Sequence, residues 1–259
     1  MDAWSSALTR PDEILLALLI VGHVFADFLV QTARVSERKR LQAGWMIWHG
    51  LLTCVTHLVL VLPFLNARLV VGIVVLSVVH TLQDQLRAIL DPRWKRPLLS
   101  FFADQTLHLA AMVLLWRVMI AGGIPASGIV PLDAPALAEA TRWLVIAAGF
   151  VFNGKGGTIV VRMVLENYPE VVPHDGEAKR YAMGRTIGLL ERFLIFPLVL
   201  LGQWTALGFI VAAKSIARFP ELHSKEFADY YLIGTLTSML VAVATGVLLR
   251  FVLMGTFAP

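Results

Sequence analysis

Apolar residues fill this chain in long runs, and the polar residues that interrupt them recur at helical spacing. Six stretches, 13–33, 44–64, 68–90, 98–120, 136–152 and 226–255, read as membrane spans, since a spanning helix needs about 20 mostly apolar residues. A further run, 184–218, predicts either one long span or two short ones meeting near Gly202, Gln203 and Trp204. The pattern predicts an all-α fold, a polytopic transmembrane helical bundle of about seven to eight spans. The first run follows Asp2, Arg10, Asp12 and Glu13 rather than a basic stretch, and it contains His23 and Asp27, so it reads as a retained span and not a cleaved signal.

The polar interruptions repeat. Span one carries His23-x-x-x-Asp27, and the next arm carries His49, 26 positions after His23. Span three carries His80-x-x-x-Asp84, and its partner carries His108, 28 positions after His80. Two hairpins with matching chemistry and spacing predict a parallel internal repeat. The organisation expected is a four-span His/Asp-rich bundle over 1–122 and a three-to-four-span region over 123–259, with an amphipathic cytoplasmic segment near 154–183.

Composition fits a lipid solvent, because 58% of the 259 residues are hydrophobic and only 15% charged, where a soluble domain carries about 25% charged residues. The net charge of +4 comes from bases in short loops and not from an aromatic-interleaved basic domain, which excludes a nucleic-acid partner. Arg34, Arg38, Lys39 and Arg40 follow span one, and Arg87, Arg93, Lys95 and Arg96 follow span three. Such loops face the cytoplasm, which places the N-terminus outside. The lone Cys54 excludes an intramolecular disulfide and a thiolate cage, so any metal would need nitrogen and oxygen ligands. The run Asn153-Gly154-Lys155-Gly156-Gly157 lacks P-loop spacing and predicts a helix break. After it, an amphipathic stretch to Tyr168 is expected in the membrane-interface plane, with Arg162 at the head groups and a polar loop over 169–175.

Residues four apart on a helix share one face, so His23 with Asp27, His80 with Asp84 and Asp104 with His108 each point at one object. Counted from the loop bases at about 1.5 Å per residue, the three carboxylates lie roughly 10–14 Å beneath the cytoplasmic charge line. His49 belongs to the same layer. Ionisable groups in hydrocarbon cost several kcal/mol unless they face the bundle interior and find partners, so these seven are expected to face one another. Three readings follow: a centre for a divalent metal such as zinc, manganese or iron held by His23, Asp27, His49, His80, Asp84, Asp104 and His108; an ion or proton pathway; or structural polar contacts. His57 is expected in the core, and Gln83, Gln85 and Gln105 either orient imidazoles or make ordinary helix contacts. A bis-histidine haem between His49 and His108 is a further alternative.

In the second half, Glu191, Arg192 and Lys214 enter the membrane as a Glu–Arg or Glu–Lys pair, or join Arg185 and Arg218 in a cationic clamp for phosphate or carboxylate. Gly202, Gly208, Ala212 and Ala213 predict close helix packing, and Tyr230 and Tyr231 predict interface anchors.

The order Gly22-His23-x-x-x-Asp27-Phe28-x-x-Gln31, Arg38-Lys39, His49, His80-x-x-x-Asp84 and Asp104-Gln105-x-x-His108 resembles the bacterial membrane family called domain of unknown function 3307. Gly188-x-x-Glu191-Arg192 and Ala212-Ala213-Lys214-Ser215 look like the C-terminal extension of some members. The resemblance implies a multi-pass protein of the bacterial inner membrane and no settled activity. The arrangement is also loosely similar to small membrane-bound metal-dependent hydrolases, although their His-x-x-x-His-Ser pattern is missing. The first expectation is therefore a metal-dependent hydrolase at the cytoplasmic leaflet, acting on a phosphate-bearing amphiphile. Asp27, Asp84 or Asp104 would be general base, and Arg87, Arg192 and Lys214 would hold the anion. A transporter or ion-binding carrier and a non-catalytic membrane scaffold stay open beside it.

Overall fold

The computed structural model describes residues 8–38, 42–94, 96–121, 123, 133–168, 178–221, 223 and 225–254. The predicted loop bases Lys39, Arg40 and Lys95 and the polar loop 169–175 lie outside the described residues. Helices make up the chain, with no strand among the described residues. Two compact units form, Leu8–Ala148 and the stretch from Gly149 onward.

In the first unit, α1 (Pro11–Phe25) opens on a proline with Asp12 and Glu13 in its first turn, which suits the positive end of the helix dipole. It ends in a π-helical turn, Ala26–Val30, that contains Asp27. A short α2 (Ala33–Arg38) leads to α3 (Ala43–Leu60), and a tight turn leads to α4 (Ala67–Trp94). There Asn66 caps α4, its Oδ1 accepting from Leu69 N at 3.1 Å. α5 (Pro97–Ile120) again starts on proline, and α6 (Ala134–Val151) follows. α1 packs on α3, α3 on α4, α4 on α5 and α5 on α1, closing a four-helix ring. Trp116 Nε1 donates to the Asp12 carbonyl at 2.9 Å and ties α5 to the start of α1.

This ring is inside out relative to a soluble bundle. On α4, Val71, Val78 and Leu82 are 63%, 54% and 63% exposed, while Ser77, His80 and Asp84 are buried. On α3, Ile47, Leu51, Val55 and Val59 face outward, while His49, Thr53 and His57 are buried. Large apolar side chains on the outside and imidazoles inside are stable only where the surrounding solvent is hydrocarbon.

His57 holds α1 and α3 together at the foot of the site. Its Nδ1 lies 2.8 Å from the Thr53 carbonyl and its Nε2 3.1 Å from the Leu19 carbonyl. The two helices approach closely because position 22 is glycine, since a Cβ there would fall 2.8 Å from His57 Cδ2. Gly22→Val should therefore cost about 1–3 kcal/mol, the usual penalty for overpacking a filled core. A fall in melting temperature in detergent is the readout, and an unchanged value would show the contact to be slack.

In the second unit the expected helix break is absent. Residues Phe152–Gly156 form a π-helical turn that runs from α6 straight into α7 (Gly157–Leu165). The backbone stays helical through Phe152–Gly156, and Thr158 Oγ1 donates to the Gly154 carbonyl at 2.6 Å. The run Ala134–Leu165 is thus one helical stretch. α8 (Ala178–Leu200) and α9 (Trp204–Arg218) form a hairpin whose turn holds Gly202 at φ +72°, and α10 (Lys225–Met254) packs on α7 and α8. A Cβ at Gly202 would lie 2.6 Å from the Arg250 guanidinium, which reaches the Val199 and Leu200 carbonyls at the end of α8. Gly208, Ala212 and Ala213 are exposed rather than packed against another helix.

Among the described residues, six helical stretches are long and apolar enough to cross a membrane: Pro11–Val30, Ala43–Leu60, Ala67–Pro92, Pro97–Ile120, Ala134–Leu165 and Phe227–Met254. The chain is a multi-pass membrane protein. The run 184–218, expected as one long span or two short ones, lies in the α8–α9 hairpin, where the 15 residues of α9 at about 1.5 Å each fall short of a hydrocarbon core of about 30 Å.

Candidate metal centre

The ring of α1, α3, α4 and α5 brings all seven predicted side chains to its axis. Their centre is the contact between two imidazoles, with His49 Nε2 and His80 Nε2 standing 3.1 Å apart. Asp27 Oδ1 lies 3.3 Å from each of them. On the same edge, Asp84 Oδ2 lies 3.4 Å from His49 and 3.6 Å from His80. Two triangles of ligand atoms therefore share the His49–His80 edge. A tetrahedral ion bound at about 2.0–2.1 Å has ligand atoms roughly 3.3–3.4 Å apart, so each triangle has the dimensions of one face of such a site.

The remaining ligands sit one ring away. His23 stacks on His108 with centroids 5.0 Å apart, and His80 lies 4.3 Å from His108. Gln105 fixes the tautomer of His23. Its amide nitrogen donates to Asp104 Oδ2 at 3.3 Å, which turns its oxygen toward His23 Nε2 at 3.2 Å. The proton is therefore on Nε2, leaving the Nδ1 lone pair facing Asp27 Oδ2 at 3.9 Å. His108 donates from Nδ1 to the Asp104 carbonyl at 2.8 Å, and its Nε2, now a lone-pair acceptor, is buried without a hydrogen-bond partner. Asp27 Oδ1 is likewise buried, and its polar neighbours are the two imidazole nitrogens at 3.3 Å. Buried atoms oriented in this way match what a cation requires. Three sets of ligand atoms lie within 4.8 Å of one another: His23, Asp27 and His80; His49, His80 and Asp84; Asp84, Asp104 and His108. These buried clusters can hold a metal ion.

Charge points the same way. With neutral imidazoles, the group Asp27, Asp84, His49 and His80 carries a formal charge of −2. Two protons could also cancel it, but placed on the two imidazoles they would set N–H groups pointing at each other across 3.1 Å. One divalent ion cancels it without that conflict.

Other candidates have separate places. Arg87 Nη1 pairs with Asp104 Oδ2 at 3.0 Å, its Nε lies 3.6 Å from Asp91, and its guanidinium lies over the Phe101 ring. Asp91 was missed in the sequence although Arg87-x-x-x-Asp91 has the same four-residue spacing as the ligand pairs. Gln105 orients an imidazole, Gln83 donates to the Leu107 carbonyl as a helix contact, and Gln85 is exposed. His57 turns both ring nitrogens to backbone carbonyls and offers the centre no lone pair. A haem does not fit, because the cavity lined by His23, His57, His80 and His108 has a volume of only about 10 Å3. Arg192 and Lys214 belong to the second unit. There Lys214 meets Glu191 at 2.6 Å, and Arg192 bonds neutral acceptors rather than Glu191.

Among curated proteins and among solved structures, nothing matches the chain, so the likeness to membrane-bound metal-dependent hydrolases finds no counterpart there. Residues 15–128, the segment that holds all seven clustered His and Asp side chains, match the model of the family described as "Protein of unknown function (DUF3307)".

Proposed function

We propose that residues 1–122 form an ion-binding bundle in a multi-pass protein of the bacterial inner membrane, and that its His/Asp centre takes up a divalent cation such as zinc, manganese or iron. The pair of triangles on the His49–His80 edge, with separations of 3.1–3.6 Å, carries this reading. The basic loops after the first and third spans support an N-terminus outside. The ligands come from both hairpins, so rocking one hairpin against the other would open the site and closing them would occlude it, which is the behaviour of a carrier.

Hydrolysis of a phosphate-bearing amphiphile at the cytoplasmic leaflet is the second reading. One observation favours it. The cavity of about 10 Å3 beside His80 and His108 is near the smallest that holds a water, and Asp27, Asp84 or Asp104 would serve as its base. The same small volume argues against it as the resting state, because a phosphoryl group needs the centre to open.

Elemental analysis of the purified, folded protein tests the proposal. Stoichiometric transition metal is expected, and folded wild type that stays metal-free after incubation with zinc, manganese and ferrous iron sinks both readings in favour of a scaffold. Metal flux in proteoliposomes then separates the carrier from the hydrolase, which would instead release phosphate from a phosphomonoester lipid without moving the ion.

A further inference from the structure

The second unit contains a cleft of about 180 Å3 between four helices. α7, the N-terminal half of α8, the last turns of α9 and the N-terminal half of α10 enclose it. Arg162, Arg185, Arg192, Lys214 and Arg218 line it, and no Asp or Glu does among the described residues. Lys214 meets Glu191 at 2.6 Å and Arg162 meets Glu166 at 3.5 Å, both carboxylates lying outside the lining. Arg192 is different. It is 2% exposed, and its three hydrogen bonds go to the Asn153 carbonyl and to the hydroxyls of Thr158 and Ser238, so none reaches a carboxylate. A buried guanidinium at the base of a cationic cleft, hydrogen-bonded only to neutral groups, favours an anion in that cleft.

Shape adds a second condition. Leu165, Ile187 and Phe227 give the cleft an apolar wall, and Tyr231 closes one side with its ring 5.3 Å from Lys214 Nζ. Glycines keep it open: a Cβ at Gly184 would come no nearer than 3.8 Å to Tyr230 Oη, and one at Gly234 no nearer than 3.9 Å to Leu165 Cδ1. Both positions accept a side chain without a backbone clash.

We propose that this cleft binds the phosphate group of an anionic amphiphile, with Arg185 and Arg218 at its mouth and the apolar wall against the acyl part. The site needs no metal and stands or falls independently of the ion-binding reading. The test is calorimetric titration of the full chain in neutral detergent with chelator present. Its ligands are dihexanoyl phosphatidic acid, inorganic phosphate and, as a charge-cancelled control, dihexanoyl phosphatidylcholine. Phosphatidic acid is expected to bind, and the affinity should fall about tenfold or more in the double variant Arg185→Gln/Arg218→Gln, since charge-assisted bonds to phosphate are lost. Gly234→Met, which fills the cleft and leaves every charge in place, should weaken binding as much and decides the matter should the double variant unfold. Inorganic phosphate binding as tightly as the lipid would keep the phosphate site and assign it to a soluble phosphoester. Absence of binding by both phosphates, equal binding of phosphatidylcholine, or affinity untouched by the variants would overturn it.

Discussion

Replacing His80 with alanine should strip the divalent metal from the centre, lowering affinity by more than about 100-fold, since even the residues that merely orient ligands are worth about 10–100-fold. Its Nε2 lies 3.1 Å from His49, 3.3 Å from Asp27 and 3.6 Å from Asp84, and its ring lies 4.3 Å from His108. Two of the three ligand sets include it, so no rearrangement among the others restores the shared edge. Gln105→Ala should show the smaller effect, about 10–100-fold, through loss of the proton acceptor that holds His23 in its tautomer. His57→Ala is the contrasting case: it removes a clasp between α1 and α3 and should lower the melting temperature while leaving metal stoichiometry intact. Competition with a chromophoric chelator reads all three. Wild-type affinity in His80→Ala would place any bound metal elsewhere.

The polar layer was legible in the sequence because lipid makes polar residues rare. In a soluble protein a His-x-x-x-Asp pair is lost among dozens of surface charges, whereas in runs such as 68–90 the few polar side chains mark the interior face directly. His80 and Asp84 are found on that face, opposite Val78 and Leu82. Backbone register was not legible. The π turns at Ala26–Val30 and Phe152–Gly156 each insert one residue into the helical ladder without a break in composition, so the sequence pattern predicts a regular helix at Asp27 and a stop at the glycines after Asn153. Tertiary partners were equally hidden. Gln83, Gln85 and Gln105 look alike in sequence, yet only Gln105 faces an imidazole, because the deciding contact comes from another helix. The same holds for Arg192, whose adjacent Glu191 suggested an ion pair. On a helix, neighbours in sequence point about 100° apart, and Glu191 meets Lys214 instead.

Arg192 carries the largest stability effect expected outside the metal centre. Its Nε donates to the Asn153 carbonyl at 2.7 Å, its Nη1 to Ser238 Oγ at 2.9 Å and its Nη2 to Thr158 Oγ1 at 2.7 Å. Those contacts join α8 to the π turn, to α7 and to α10. A π turn displaces the helical ladder, so carbonyls within it depend more than usual on outside donors. Removing the guanidinium leaves that carbonyl in an apolar surround, and hydrogen bonds to charged groups contribute about 1.5–3 kcal/mol each. Against this, the substitution also relieves the cost of burying a cation, and Thr158 and Ser238 can still donate to the Gly154 and Gly188 carbonyls. The net loss expected for Arg192→Ala is therefore about 3–5 kcal/mol rather than the sum of three bonds. Arg192→Lys should recover only part of it, because one ammonium cannot reproduce a fork that reaches three acceptors. Gly157 provides the internal check. A Cβ at that position would fall 2.8 Å from Arg192 Nε, so Gly157→Ala should cost about 1–3 kcal/mol by displacing the guanidinium. Once Arg192 is alanine, much of that clash is gone, and the double variant should be little worse than Arg192→Ala alone. Additive losses, measured by denaturant unfolding in mixed micelles, would mean that Gly157 acts through some contact other than Arg192.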